Sequence, residues 1–553
     1  MTARRSEFGE FAALLIVALG LAWINRFVQD DAFICFTYAR SLVEGGGLTW
    51  FGDPVEGYTN FLWVLWLAVG FLADIDPIDA ATVGGLVSYV VMLGAFWRLA
   101  RAVIPSLFVR TMMGVVLVTN FSVSSYATGG LETMAVTAMF VVALWLSHSF
   151  RSAAAPARTT ALLISITCGL GVLMRTDTAS LFGLVMLSLA PWARHRPTLA
   201  FVGPAGLLVG GWLAWKFVTY GALLPNPYHV KTGGGAEAWG AGVRYLWRFL
   251  DAYWIWPCLV GVVLLRAIRR SPLPREEPHV VATRRLLTWT VAVWALYLVW
   301  VGGDFMEFRL VVIAFPAAVL LFGWGLHRCL PRARGRAVVT ALVTLVMVGA
   351  SVRHARDFRG ITDDKTLDSI DTLASCYGLY PDGDWSVVGA ALGEQLKGSD
   401  VVIATSASGA VPFYSRVCSV DMVGLTHREI ARHGNRAGPD YLRPGHRNAA
   451  TWEQLSAADV NLIVGHPTVS PTGVLDRPGS DAFCAHLVEG VSFLQRRPLG
   501  DCLIVSMPVD QERSLFMVYF EPHPFVDARL RSGAWGQRAY VARGRHLRTV
   551  DPK

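Results

Sequence analysis

QDDAFICFTYARSLVEGGGLTWFGDPVEGYTNFLW, residues Gln29 to Trp63, opens with two adjacent carboxylates, Asp30 and Asp31. They stand directly after a hydrophobic run and directly before a segment with helical spacing. Phe33, Phe36, Ala39, Leu42 and Val43 recur at intervals of three and four, so residues from about 32 to 44 can form a short amphipathic helix along a membrane surface. The aspartates would then sit at its N-terminus, where hydrocarbon ends and water begins. Taken alone the pair has a plain reading, in which Asp31 caps the helix and Asp30 is a solvated neighbour. The rest of the chain weighs against that reading.

Of the 553 residues, 53% are hydrophobic and only 16% are charged, a composition foreign to soluble domains. The apolar residues gather in runs long enough to cross roughly 30 Å of hydrocarbon, mostly before residue 351. The chain therefore reads as a polytopic helical membrane protein. The first run, Phe8 to Val28, follows Arg4 and Arg5 and has no small-residue cleavage site behind it, so it reads as a retained span. The net charge of +8 could suggest nucleic acid, but the arginines cluster in short loops between apolar runs, which is a topology bias and excludes a nucleic-acid partner. The eight cysteines form no CxxC pair and no metal spacing. Cys376, Cys418, Cys484 and Cys502 lie in the polar C-terminal part, where disulfides could form if that part is outside the cytoplasm.

Further spans are expected at about 80–103, 107–123, 132–150, 159–175, 179–193, 198–219, 251–268, 286–302, 308–328 and 336–351. With the N-terminus in the cytoplasm, the basic loops at Arg98–Arg110, Arg151–Arg158, Arg194–Arg196, Arg266–Arg285 and Arg328–Arg336 all fall inside only if the short run from Phe61 to Ala73 does not cross. The expected count is then about eleven, with the C-terminal domain outside.

The same bookkeeping puts a second class of loop beside Asp30 and Asp31, each a polar motif wedged against the end of a span. They carry Glu132 (ATGGLET), Arg175 and Asp177 (MRTDTA), Asn226, His229 and Lys231 (LLPNPYHVKTG), and Asp304, Glu307 and Arg309 (GGDFMEFR). Charge next to lipid is costly and marks functional sites. Any single member has a structural explanation, a helix dipole for Glu132 or Asp177 or snorkelling for Arg309. Their gathering on one face is the stronger signal.

Domain boundaries follow from composition. Residues 1–351 form the membrane body, with a first outer loop at 29–60. Residues 352–553 lose the long apolar runs and show β-branched runs instead, such as DVVIAT (400–405), NLIVGHP (461–467), CLIVSMPV (502–509) and SLFMVYF (514–520). Interleaved helical stretches near Leu367–Leu373, His427–Arg432 and Thr451–Ser456 make this a mixed α/β domain. No phosphate-cradling GxxxxGK[ST], HExxH or GxSxG motif occurs, which excludes an ATP-driven transporter within the chain.

VEGYTNFLW (55–63), GLET (130–133), PNPYHVK (225–231), GGDFMEFR (302–309), GAVPFYS (409–415) and DMVGLTHREIARHG (421–434), in this order with the Asp pair, resemble the GT-C membrane glycosyltransferases. The chain is most similar to the actinobacterial terminal β-(1→2)-arabinofuranosyltransferases of arabinogalactan and lipoarabinomannan. The resemblance implies a decaprenyl-phosphate or related polyprenyl-phosphate sugar as donor, an arabinan-type glycan acceptor, and a site at the outer leaflet of the plasma membrane.

The chemistry fits this layout. An acceptor hydroxyl is a poor nucleophile at neutral pH, and a positioned carboxylate accelerates its attack by taking the proton. Asp30 is the expected base, with Asp31 as neighbour and substitute; a nucleophilic role through a glycosyl-enzyme remains open. A lipid phosphate leaves as a stable anion, so cationic contacts from Lys231, His229, Arg175 and Arg309 are expected to matter more than an acid. Glu56, Tyr58, Asn60, Trp63 and Asn226 are expected around the sugar and acceptor. Glu132, Asp177 and Asp304 either accept sugar hydroxyls or form part of a divalent metal site; no metal or other cofactor is assigned. A transporter would need ionisable residues at mid-membrane and an internal repeat, and neither is found. A structural anchor leaves the Asp pair without a purpose.

Overall fold

The architecture comes from a computed structural model that describes residues 2–154, 157–193, 198–232, 235–268, 275–330, 332–375, 385–436, 443–492, 495 and 499–542. A helical body is followed by a mixed α/β domain. Six helices among the described residues are long and apolar enough to cross a membrane: Glu7–Ile24, Pro77–Val103, Thr133–Ser152, Phe201–Tyr220, Arg309–Cys329 and Ala333–Asp357. A seventh is reached if Gly235–Ala252 and Ile255–Leu265, bent by 76° at their junction, count as one span. This is a multi-pass membrane protein, but the expected count of eleven is not supported. Helix Leu107–Val118 has 12 residues, short of the roughly 17–25 that cross, and Arg158–Met174, with 17, stands at the lower limit of that range. Pro278–Val301 is long but carries Arg284 and Arg285 inside it. The run expected not to cross forms the helix Phe61–Leu72, about 18 Å long at 1.5 Å per residue, again too short.

The two rims of the bundle are chemically distinct. Glu7, at the start of the first helix, pairs with Arg101 (3.0 Å) and Arg110 (3.2 Å). About 26 Å further along this helix, which ends at Ile24, its other end leads into Asp30. The rim at Asp30 also receives Glu132, Arg175, Lys231, Asp304 and Arg309, because each stands at the matching end of its own helix. The loop Arg194–Arg196 lies outside the described residues.

The helix expected along the membrane surface exists as Asp30–Val43, but its apolar face does not meet lipid. Ala32 to Ala39 are all buried. Phe33 and Phe36 pack on Phe413 at 5.5 and 6.0 Å between ring centroids, so the α/β domain supplies part of the cover and helix Phe61–Leu72 another part.

That domain holds strands β1 (Ile403–Thr405), β2 (Ser419–Asp421), β3 (Asn435–Arg436), β4 (Asn448–Ala449), β5 (Leu462–Pro471), β6 (Cys502–Pro508), β7 (Arg513–Tyr519) and β8 (Gly536–Tyr540). Six form one sheet in the order β2-β1-β5-β7-β6-β8, and β3 pairs with β4 separately. β1 runs parallel to β2 and β5; β5, β7, β6 and β8 pair antiparallel in sequence. Side chains alternate across the sheet as the strand period demands. Leu515 and Met517 join the core beneath helices Trp385–Gln395 and Pro524–Arg531, while Phe516 and Val518 join the core beneath Ser480–Val491. Cys418, Cys484 and Cys502 are free thiols, and Cys376 lies outside the described residues.

Candidate active site

Three local devices build the site. The segment after the Asp helix is held extended by Tyr38, whose hydroxyl donates to the Val55 carbonyl (2.7 Å) and accepts from the Gly57 amide (3.0 Å). Glu56 and Thr59 then receive the backbone amides of Asn226 and Thr176 on their carbonyls, which strings this segment between two other rim loops. Helix Pro278–Val301 ends in Gly302 and Gly303, both left-handed at φ 86° and 81°. A Cβ at Gly303 would come within 2.7 Å of the Tyr245 ring, so the turn needs glycine twice over. It delivers Asp304 and Arg309, which pair at 2.8 Å.

These loops enclose a polar cavity lined by Asp31, Cys35, Tyr58, Asn60, Glu132, Arg175, Lys231, Arg309 and, from the α/β domain, Leu425. It adjoins a larger cavity of about 440 Å³, and Thr59, Arg175, Pro227, Lys231 and Arg309 line both. The larger one is walled mainly by apolar side chains, among them Val172, Val209, Trp212, Leu213, Leu224 and Trp300. Three cations therefore stand where an apolar channel meets a polar chamber.

The charges divide into those already paired and those left free. Arg175 bridges Glu132 (2.5 Å) and Asp177 (2.7 Å to each oxygen), Asp177 also accepts from Tyr297 (2.9 Å), and Asn60 donates to Glu132 (2.6 Å). Arg309 gives only its Nε to Asp304. Among the described residues the Lys231 ammonium, the terminal nitrogens of Arg309 and the Asp31 carboxylate have no hydrogen-bond partner. Burial pushes the Asp31 carboxyl above its usual range while Lys231 and Arg309 draw it back; burial likewise depresses Lys231.

Asp30 is differently placed. Its carboxylate accepts from the backbone amides of Gly409 (3.0 Å) and Ala410 (2.7 Å). Burial raises its pKa from 3.8 to about 7, against the pull of those two amides. The residue expected to face the acceptor is therefore tied to the α/β domain, and its neighbour faces the chamber. Successive residues on a helix point about 100° apart, so only one of the two can do so.

Other expected residues fall outside the lining. Trp63 is buried behind the chamber and donates to the Gly130 carbonyl (3.0 Å), so its ring face is not open to a sugar. Glu56 forms a buried ion pair with Lys216 (2.7 Å), and burial raises its pKa to about 7. His229 lies against Tyr228, and Tyr228 rather than His229 lines the channel. Asn226 is buried with its side-chain nitrogen unpartnered. Tyr58 does line the chamber, with its hydroxyl on Tyr220 (2.9 Å). Glu307 bridges His354 (2.8 Å) and the Ile370 amide (2.7 Å), a structural tie. The paired carboxylates do not suit a divalent cation: Glu132, Asp177 and Asp304 are each bound to arginine, and the described residues contain no group of three metal-ligating side chains. Sequence reasoning missed Tyr297 and Lys216, which sit inside apolar helices, and Tyr245, on the buried face of the amphipathic helix Gly235–Ala252; none has a motif around it. It also missed Asp421, which fixes the Leu425 turn by accepting from the Val423 and Thr426 amides.

A family model described as a domain of unknown function (DUF8728) matches residues 380–498, inside the α/β domain. No curated protein matches the chain. Among solved structures, ArnT from Cupriavidus metallidurans bound to undecaprenyl phosphate is similar with a TM-score of 0.55 at 13% identity, over 92% of this chain and 97% of that one. The archaeal oligosaccharyltransferase AglB from Archaeoglobus fulgidus, in complex with an inhibitory peptide and a dolichol-phosphate, gives 0.49 at 10% identity over 93% and 74%. The arabinofuranosyltransferase AftD from Mycobacteria gives 0.46 at 14% identity over 94% and 40%. The likeness to ArnT shows the fold: a helical multi-span body carrying a C-terminal mixed α/β domain, arranged as in that structure.

Proposed function

We propose that this chain is a membrane glycosyltransferase that moves a sugar from a polyprenyl-phosphate donor onto an acceptor hydroxyl. The observation that carries the reading is the shared wall of Arg175, Lys231 and Arg309 between an apolar channel and a polar chamber. An isoprenoid chain suits the channel, a phosphate suits the free donors of Lys231 and Arg309, and a sugar suits the chamber in front of Asp31. The undecaprenyl phosphate bound in the ArnT structure supports a donor of this class here.

In the proposed reaction Asp31 accepts the proton of the acceptor hydroxyl as its oxygen bonds to the anomeric carbon. The bond from that carbon to the phosphate oxygen breaks, and the electron pair leaves with the polyprenyl phosphate. Lys231 and Arg309 stabilise the charge that develops on the departing phosphate. Asn60 and Tyr58 remain the candidates for holding sugar hydroxyls.

For the sugar we propose D-arabinofuranose, with an arabinan-type acceptor, on the motif resemblance set out above; another lipid-linked sugar is the second reading. The basic loops place the site and the α/β domain on the extracytoplasmic side in this proposal, with the N-terminus in the cytoplasm. Purified protein offered a panel of synthetic polyprenyl-phosphate pentoses and hexoses, with products followed by mass spectrometry, tests both levels. Release of polyprenyl phosphate coupled to glycan extension supports the class, and the preferred donor assigns the sugar. A panel without turnover would sink the proposal.

A further inference from the structure

The motif GAVPFYS (409–415) lines neither of the two cavities of the site, yet it is the point where the α/β domain meets the helix that carries Asp31. Helix Ala410–Ser415 lies along helix Asp30–Val43, and three contacts fasten the two together. At one end the Asp30 carboxylate accepts the Gly409 and Ala410 amides at 3.0 and 2.7 Å. In the middle Phe33 packs on Phe413 and Tyr414 at 5.5 and 5.6 Å. At the far end Arg40 donates to the Phe413 carbonyl (2.8 Å) and lies over its ring at 4.4 Å.

The fit at the first contact excludes every residue but glycine. A Cβ on Gly409 would overlap the Asp30 carbonyl oxygen and stand 2.6 Å from the Asp30 Cγ. Real Cβ contacts do not come that close, so a side chain at 409 must push the start of the Asp helix away. Asp31 is the next residue, and the direction of its carboxylate follows the position of that first turn.

We propose that Asp30 is a positioning residue: held by the Gly409 and Ala410 amides, it fixes the first turn of its helix so that Asp31 faces Lys231 and Arg309. The α/β domain, matched in part only as a domain of unknown function, thereby becomes a working part of the site. The role rests on the reading of Asp31 as the base. Catalytic groups held a fraction of an ångström out of place lose rate far more than affinity. The latch should therefore act on turnover and leave donor binding alone.

The test uses the full chain in detergent, comparing wild type, Gly409→Ala and Asp30→Asn with Gly490→Ala. Gly490 is an exposed helical position of the same domain with open space around it. Two readouts are needed: backbone amide exchange over residues 30–36 and 409–412, and kcat and KM with a synthetic polyprenyl-phosphate sugar. The latch predicts faster exchange in both segments for Gly409→Ala and Asp30→Asn, a fall in kcat of roughly tenfold or more, and donor KM within about threefold of wild type. Gly490→Ala should match wild type on both. Faster exchange with unchanged kcat would make the contact merely structural, and unchanged exchange would deny the latch itself. A wild type without turnover on any lipid-linked sugar would remove the reading of Asp31 and the positioning role with it, while the exchange data would still report whether the two segments are fastened.

Discussion

The Asp31 carboxylate looks across the polar chamber at the Lys231 ammonium, and the two do not close an ion pair. A half-buried acid and a half-buried base left apart at the junction of two cavities are costly to keep. A substrate with an anion on one side and a hydroxyl on the other would satisfy both, and the predictions below follow from that gap.

Lys231 and Arg309 are proposed to hold the donor phosphate. Lys231→Met should raise the donor KM by roughly tenfold or more, the scale of one lost charge-assisted contact. Arg309→Lys keeps the charge but loses the planar fork, so it should lose affinity as well. Titration with a non-transferable polyprenyl phosphate would measure both; affinities equal to wild type would contradict the assignment.

The pH profile carries a signed test. Burial holds the Asp31 carboxyl above its ordinary 3.8, and Lys231 is among the groups that lower it. A base acts ionised, so kcat/KM should fall as pH drops through that raised value. Removing the ammonium in Lys231→Met lets the pKa rise further, so the acid limb should move to higher pH. A limb that stays or moves down would exclude Asp31 as the group that titrates.

The channel should be read by chain length. Val209 lines it, and Val209→Trp narrows it without touching a charged group. Donors with long isoprenoid chains should lose affinity in this variant while donors truncated to one or two units are little changed. Equal loss for both would place the lipid elsewhere.

Arg175 is expected to matter for stability first. It bridges Glu132 and Asp177 in the buried wall, so Arg175→Met leaves two carboxylates without their counter-charge. Breaking such a pair costs about 3–5 kcal/mol. Thermal unfolding in detergent should shift down by several degrees, and an unchanged transition would show that the network is solvated.

The sequence carries the rim of the site because charge beside lipid is rare enough to stand out, which is how Asp31, Glu132, Arg175, Lys231, Asp304 and Arg309 were all legible. It does not carry the choice between Asp30 and Asp31. That choice is made by the amides of Gly409 and Ala410, some 380 positions away in the chain. Among the described residues only six or seven of the eleven expected spans are met by a helix long and apolar enough to cross, for a related reason. A short helix buried among other helices, such as Leu107–Val118, is as apolar as one that crosses lipid. Trp63 misled because an aromatic ring packs against protein with the same chemistry it would offer to a sugar. The β-strands of the α/β domain were readable because their side chains alternate between two cores, and those expected within 461–467, 502–509 and 514–520 are found there as β5, β6 and β7.

One comparison reaches the central claim most directly: transfer of radiolabelled sugar from a synthetic polyprenyl-phosphate donor by the wild type and by Asp31→Asn, with donor affinity measured on both. The account predicts that Asp31→Asn loses about a hundredfold or more of the rate while binding donor as the wild type does. An Asp31→Asn protein that transfers sugar at the wild-type rate would contradict it.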